Sequence, residues 1–150
     1  MTERISLNNL KPEMMNPLLQ MVSYLKSSGL DPKLLELVNY RVSQINGCAY
    51  CLEMHYKEAL ANDEDALRLH SLPAFRECPF YTDKEKVVLE YAEILTKVAS
   101  HEVKDSLVDR LKSFYSDSEI GDLTLAITLI NSFNRINIAF LPTLGQYEAG

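Results

Sequence analysis

Apolar residues recur along this chain at steps of three and four, the spacing that lines one face of an α-helix, and no stretch alternates apolar and polar for long. The first such run starts at Asn16-Pro17, places Leu18, Met21, Val22 and Leu25 on one face, and stops at Ser28-Gly29. Asp31-Pro32 opens a second run to Asn46, with Leu34, Leu35, Val38, Val42 and Ile45 inward. Asn46-Gly47 ends it, because glycine adopts the left-handed conformation that closes helices, and a third helix follows at once and continues past Leu60. Asn62-Asp63 is read as the start of a short helix through Leu69. The stretch from Ser71 to Tyr81, with Pro73 and Pro79, is read as an irregular loop or lid.

Thr82-Asp83-Lys84-Glu85 and Ser116-Asp117-Ser118-Glu119 both have the capping-box pattern, a hydroxyl followed three residues later by a glutamate. The first box predicts a helix with Val88, Leu89, Tyr91, Ala92 and Leu95 packed inward. The second predicts a long helix to about Phe140, and a shorter amphipathic helix spans Val103 to Tyr115 between them. The long helix is apolar nearly all round, so it lies at the centre of the core or under another subunit, and oligomerisation is expected. Together these elements predict an all-α fold of about six to eight helices in one domain, residues 1–150.

Composition supports that picture: 47% of the residues are hydrophobic, enough for a core without staples, and only five are glycine. The net charge of −6 and the lack of any sizeable Lys/Arg cluster argue against nucleic acid as a partner. No apolar run approaches the roughly 20 residues of a membrane span, and the first residues lack signal-peptide order, so a soluble, cytoplasmic protein is expected. Three cysteines, with Cys78 left over from a Cys-x-x-Cys pair, fit a reducing compartment in which the pair is redox-active.

The chemistry concentrates in Gly47-Cys48-Ala49-Tyr50-Cys51-Leu52-Glu53-Met54-His55. On a helix, Cys48, Cys51 and His55 form one stripe at steps of three and four. A helix start favours an anion, hence a thiolate, and an imidazole one turn from Cys51 can accept its proton. Neighbouring thiols also allow an oxidised sulfur to be captured as a disulfide. Other readings fit the same residues. The cysteines could be small buried apolar side chains, or Cys48, Cys51 and His55 with a carboxylate could bind zinc, although structural zinc sites usually draw on two ligand pairs. Upstream, Glu36, Tyr40, Ser43 and Gly47 share one helical face that ends where the cysteine pair begins. Glu36 could therefore exchange protons with the thiol and imidazole, unless it is simply solvated.

The segment Glu36 to His55, ELVNYRVSQINGCAYCLEMH, resembles the core motif of the alkylhydroperoxidase D-like branch of the carboxymuconolactone decarboxylase superfamily. That motif is a Glu, eleven residues, Cys-x-x-Cys, three residues and a His. RECPFYTDKEKVVLEYAEILT from Arg76 and IGDLTLAITLINSFNRINIAF from Ile120 are similar to the same family, so the likeness covers nearly the whole chain. The resemblance implies an AhpD-like helical bundle forming homo-trimers or homo-hexamers, with thiol peroxidase or disulfide-reductase activity. It implies Cys51 as the sulfur that attacks peroxide, Cys48 as proton donor and resolving thiol, and Glu36 and His55 as the proton relay. It implies no bound cofactor, with an external dithiol, dihydrolipoyl or thioredoxin-like, as the reductant partner.

The helix dipole alone favours Cys48 as the thiolate, but an imidazole one turn from Cys51 is the more local bias. Tyr50 stands where the founding peroxidase has a histidine between its cysteines. The decarboxylase branch lacks the cysteine pair, so lactone decarboxylation is not what these residues support; a redox-responsive oligomer with little turnover is the alternative. Asn131, Asn134, Arg135 and Asn137 are polar positions in the apolar last helix, expected to bond between helices or subunits, or in one case to line the active pocket. Tyr40, Tyr50 and Tyr56 are read as packing residues, and Cys78, His70 and His101 as chemically idle.

Overall fold

The computed structural model describes residues 3–150, and its described residues form seven α-helices, short 3-10 turns and no strand. The helices are α1 Asn16–Ser27, α2 Pro32–Asn46, α3 Ala49–Ala61, α4 Ala66–Ser71, α5 Asp83–Thr96, α6 Asp105–Lys112 and α7 Asp117–Phe140. Both capping boxes form, with Thr82 and Ser116 accepting from the amides of Glu85 and Glu119 while each glutamate reaches back to its cap residue. Asp31 caps α2 by accepting from the Lys33 amide, with Pro32 in the first turn, where its missing N–H costs nothing.

Helix α2 is the central element, packing against α3, α5 and α7, and α7 also packs against α1, α3, α5 and α6. The largest buried cluster runs through α2, α5, α6 and α7, with Val38, Val42, Val88, Leu111, Leu123 and Ile127 almost without exposure. The all-round apolar character of α7 is thus used largely within one chain. On α2 and α5, the fully buried Leu37 and Val87 fall outside the faces read from the sequence.

Two local expectations are corrected. Asn62 and Asp63 do not open α4; Asn62 ends α3 and Asp63 takes a left-handed φ of 57°, while Asp65 caps α4 by accepting from the Leu67 amide. Asparagine and aspartate serve helix ends as well as starts, so the pair points either way. The Ser71–Tyr81 stretch is an irregular loop beyond Ala74, as read, but it is anchored in the core rather than lid-like. It makes a 3-10 turn at Leu72–Ala74 and inserts Leu72, Phe75 and Tyr81 into a second buried cluster with Leu37, Leu69 and Leu89.

The last residues return across α3. The Lys57 ammonium donates to the Tyr147 carbonyl at 2.7 Å, the Gly145 amide donates to the Glu53 carboxylate at 2.7 Å, and the Tyr147 hydroxyl bonds Glu58. At the other end, the Arg4 amide donates to the Phe140 carbonyl at 2.8 Å, holding the N-terminal segment against the end of α7.

Candidate functional site

The site is built where α2 ends and α3 begins. Gly47 closes α2 with φ 69° and ψ 33°, the left-handed turn in which a side chain would be strained, and so turns the chain straight into α3. Cys48 is the N-cap of α3 rather than part of its first turn; its backbone is extended, and its Sγ accepts from the Cys51 amide at 3.3 Å. Cys48 and Cys51 are joined as a disulfide, with S–S 2.09 Å and Cα atoms 5.3 Å apart. Both cysteines are buried, as is His55 one turn further along α3.

Glu36 reaches this stripe from α2. Its Oε2 lies 2.8 Å from His55 Nδ1, and its Oε1 accepts from the Asn39 side chain at 3.4 Å. A carboxylate beside Nδ1 makes that nitrogen the donor, which leaves Nε2 as the basic atom of a neutral ring. Nε2 is buried and, among the described residues, has no hydrogen-bond partner. The other members of the Glu36 stripe serve structure instead: Ser43 accepts from Asn134 at 3.0 Å, and Tyr40 packs on Tyr56 with ring centroids 6.1 Å apart.

A cavity of about 370 Å³ opens beside these groups. Cys51, His55, Glu36, Asn39, Asn137 and Lys26 supply its polar side chains; the remainder is largely apolar, with Leu129 and Phe133 from α7, Val22 and Leu25 from α1, and Leu7 and Met15 from the N-terminal segment. Cys51 faces this space, whereas Cys48 is not among its lining residues. All four residues singled out in the sequence are therefore brought together, Cys51, Glu36 and His55 along the cavity and Cys48 bonded to Cys51 behind them.

One contact differs from expectation. In this disulfide form the imidazole hydrogen-bonds neither sulfur, and it is the Asn137 side-chain amide that donates to Cys51 Sγ, at 3.4 Å. Asn137 and the cavity are what sequence reasoning left unresolved. The usable signal was a polar residue set among apolar neighbours near the end of α7. The neighbouring asparagines have structural partners: Asn46 donates to Asn131 at 3.0 Å and to Asn134 at 2.9 Å, tying the end of α2 to α7 just before the cysteine pair. Arg135 is exposed and bonds back to Asn131. Among the described residues, no group of three or more His, Cys, Asp or Glu is placed to hold a metal ion. His70 and His101 are exposed and Cys78 is half-buried, none of them among the cavity-lining residues. No helix of the described residues is long and apolar enough to cross a membrane.

Comparison with known proteins agrees with this fold. Residues 12–93 match the model of the carboxymuconolactone decarboxylase family. An uncharacterized protein of Bacillus subtilis strain 168, YdfG, is 40% identical over 139 residues, covering 93% of this chain and 95% of its own. A crystal structure from Agrobacterium tumefaciens, of a protein of unknown function with a suggested role in antioxidant defence as an AhpD, superposes with a TM-score of 0.90 at 33% identity, covering 95% of this chain and 97% of that one. An uncharacterized peroxidase-related protein from Silicibacter sp. TM1040 superposes with a TM-score of 0.78 at 25% identity, over 89% of this chain and 71% of that one. With its matched family segment, its near-full-length relatives and its all-helical fold around a Cys48–Cys51 pair, the chain belongs to the carboxymuconolactone decarboxylase family, in the AhpD-like branch.

Proposed function

We propose that this protein is a thiol-dependent peroxidase that reduces organic hydroperoxides. One observation carries this reading: Cys51 and the Glu36–His55 pair line the same, mainly apolar cavity. A volume of about 370 Å³ is in the range of small-molecule sites and suits a substrate with an apolar body and one polar end.

Chemistry begins with the reduced protein. The Cys51 thiol gives its proton to His55 Nε2, by way of the substrate or a water between them, and the thiolate attacks the hydroperoxide. An S–O bond forms, the O–O bond breaks, and Cys51 becomes a sulfenic acid. The departing alkoxide takes the proton back from the imidazolium, which the Glu36 carboxylate stabilises through Nδ1. The Cys48 thiol then attacks the sulfenic sulfur, forming the disulfide and releasing water. An external dithiol restores both thiols and is itself oxidised to a disulfide.

Stopped-flow mixing of reduced protein with cumene hydroperoxide tests the scheme, in a Cys78→Ser background so that only the pair reports. Cys51→Ser is expected to abolish peroxide consumption. Cys48→Ser should consume one equivalent and leave a sulfenic acid that dimedone traps. Full activity in Cys51→Ser, or a wild-type rate no faster than a free thiol, would overturn the peroxidase reading in favour of a redox-responsive protein with little turnover.

A further inference from the structure

We propose that Asn137 is the hydrogen-bond donor that makes Cys51, rather than Cys48, the nucleophilic sulfur. This rests on the reading of Cys51 as the atom that meets the substrate, and it names the group that selects it.

Each sulfur of the pair receives one N–H. Cys48 Sγ accepts from the Cys51 backbone amide at 3.3 Å, at the start of α3, where amides and helix dipole stabilise a negative charge. Left to the backbone, Cys48 would be the more acidic thiol. Cys51 Sγ accepts instead from the Asn137 side chain at 3.4 Å, across 86 residues of chain. The orientation of that amide follows from its partner, since a disulfide or thiolate sulfur only accepts and so must face the NH₂ end. His55 does not supply this contact, because its Nε2 bonds no sulfur and no other group among the described residues.

Asn137 also differs from the other asparagines of α7 in what it touches. Asn131 donates to the Thr96 hydroxyl at 3.2 Å and the Ile127 carbonyl at 2.9 Å, and Asn134 donates to Ser43 at 3.0 Å, all structural partners. Asn137 alone of the three lines the cavity. A neutral amide is the appropriate group for the task. It strengthens its bond as the sulfur gains charge, and it carries no proton that could be lost to the thiolate or to the substrate.

The test reads the thiols directly and needs no peroxide. With Cys48 and Cys78 both replaced by Ser, Cys51 is the only thiol, and its rate of alkylation by iodoacetamide against pH gives the midpoint of thiolate formation. Asn137→Leu, which keeps the branched outline and removes the donor, is expected to move that midpoint up by about one pH unit, with roughly tenfold slower alkylation near neutrality. Asn137→Asp, of the same shape but anionic, should move it further. In the complementary background, with Cys51 and Cys78 replaced by Ser, the Cys48 midpoint should stay in place on Asn137→Leu.

A Cys51 midpoint unmoved in both variants, or a Cys48 midpoint that moves as far, would overturn the assignment. If Asn137→Leu does not fold, the isosteric Asn137→Asp decides the matter alone. A slow peroxide reaction accompanied by the expected alkylation shifts would sink the peroxidase reading while leaving Asn137 in its role.

Discussion

The 2.8 Å contact between Glu36 and His55 joins two helices through one charge-assisted bond, and it determines which ring nitrogen is left to work. Replacing Glu36 by Gln keeps the size of the side chain but removes the charge that, in the proposed scheme, stabilises the imidazolium. The peroxide-dependent loss of Cys51 thiol is therefore expected to slow by roughly a hundredfold, within the usual range for impaired proton transfer, while the disulfide still forms with a strong chemical oxidant. Rapid-quench thiol counting separates the two effects. At this scale the sequence is informative where partners lie on one helix or on successive helices. Cys48, Cys51 and His55 were legible because helical geometry converts spacing into a shared face, whereas for Glu36 spacing left a solvated residue open and the likeness to the family motif singled it out. Asn137 was not, since nothing local says which of several polar positions on an apolar helix turns toward a sulfur 86 residues away.

Among the elements, the junction of α2 and α3 is the one on which the site depends. Gly47 sits at φ 69° with open space around the position of a would-be Cβ, so a Gly47→Ala substitution meets no clash and bears only the backbone penalty of the left-handed region. Chemical denaturation should show a loss of about 1 kcal/mol, with m unchanged. The two capping boxes and the Asp31-Pro32 start were readable because each satisfies orphan amides by a local rule. The start of α4 and the Ser71–Tyr81 segment were not. There two prolines mark a break in regular structure, but burial of Leu72, Phe75 and Tyr81 is decided by distant partners such as Leu37 and Leu89.

Over the whole molecule, separate segments are cross-linked by charge. Glu93 on α5 accepts from Arg41 of α2 at 2.8 Å and pairs with Arg76 of the 72–81 segment at 2.7 Å. Burial alone would raise the Glu93 carboxyl, but the hydrogen bonds and charges of Arg76 and Arg41 outweigh it and hold the group below the usual carboxylate value. A group depressed in the folded state contributes stability above its unfolded pKa and loses it as pH falls through its folded one. Glu93→Gln should thus lower the melting temperature at pH 7, and the gap to wild type should close on acidification below about pH 4. A gap that persisted in acid would show that Glu93 acts through packing rather than charge.

The bridge between Cys48 and Cys51 spans only three steps of chain, at the junction of two helices already held by Gly47, Asn46 and Asn134. So short a loop restricts the unfolded chain little, by about 2 kcal/mol against about 4.7 for a loop of a hundred residues. Opening and closing this bond therefore leaves most of the scaffold's stability untouched. It is a latch rather than a rivet, because the fastening of this junction is supplied mostly by the contacts around it.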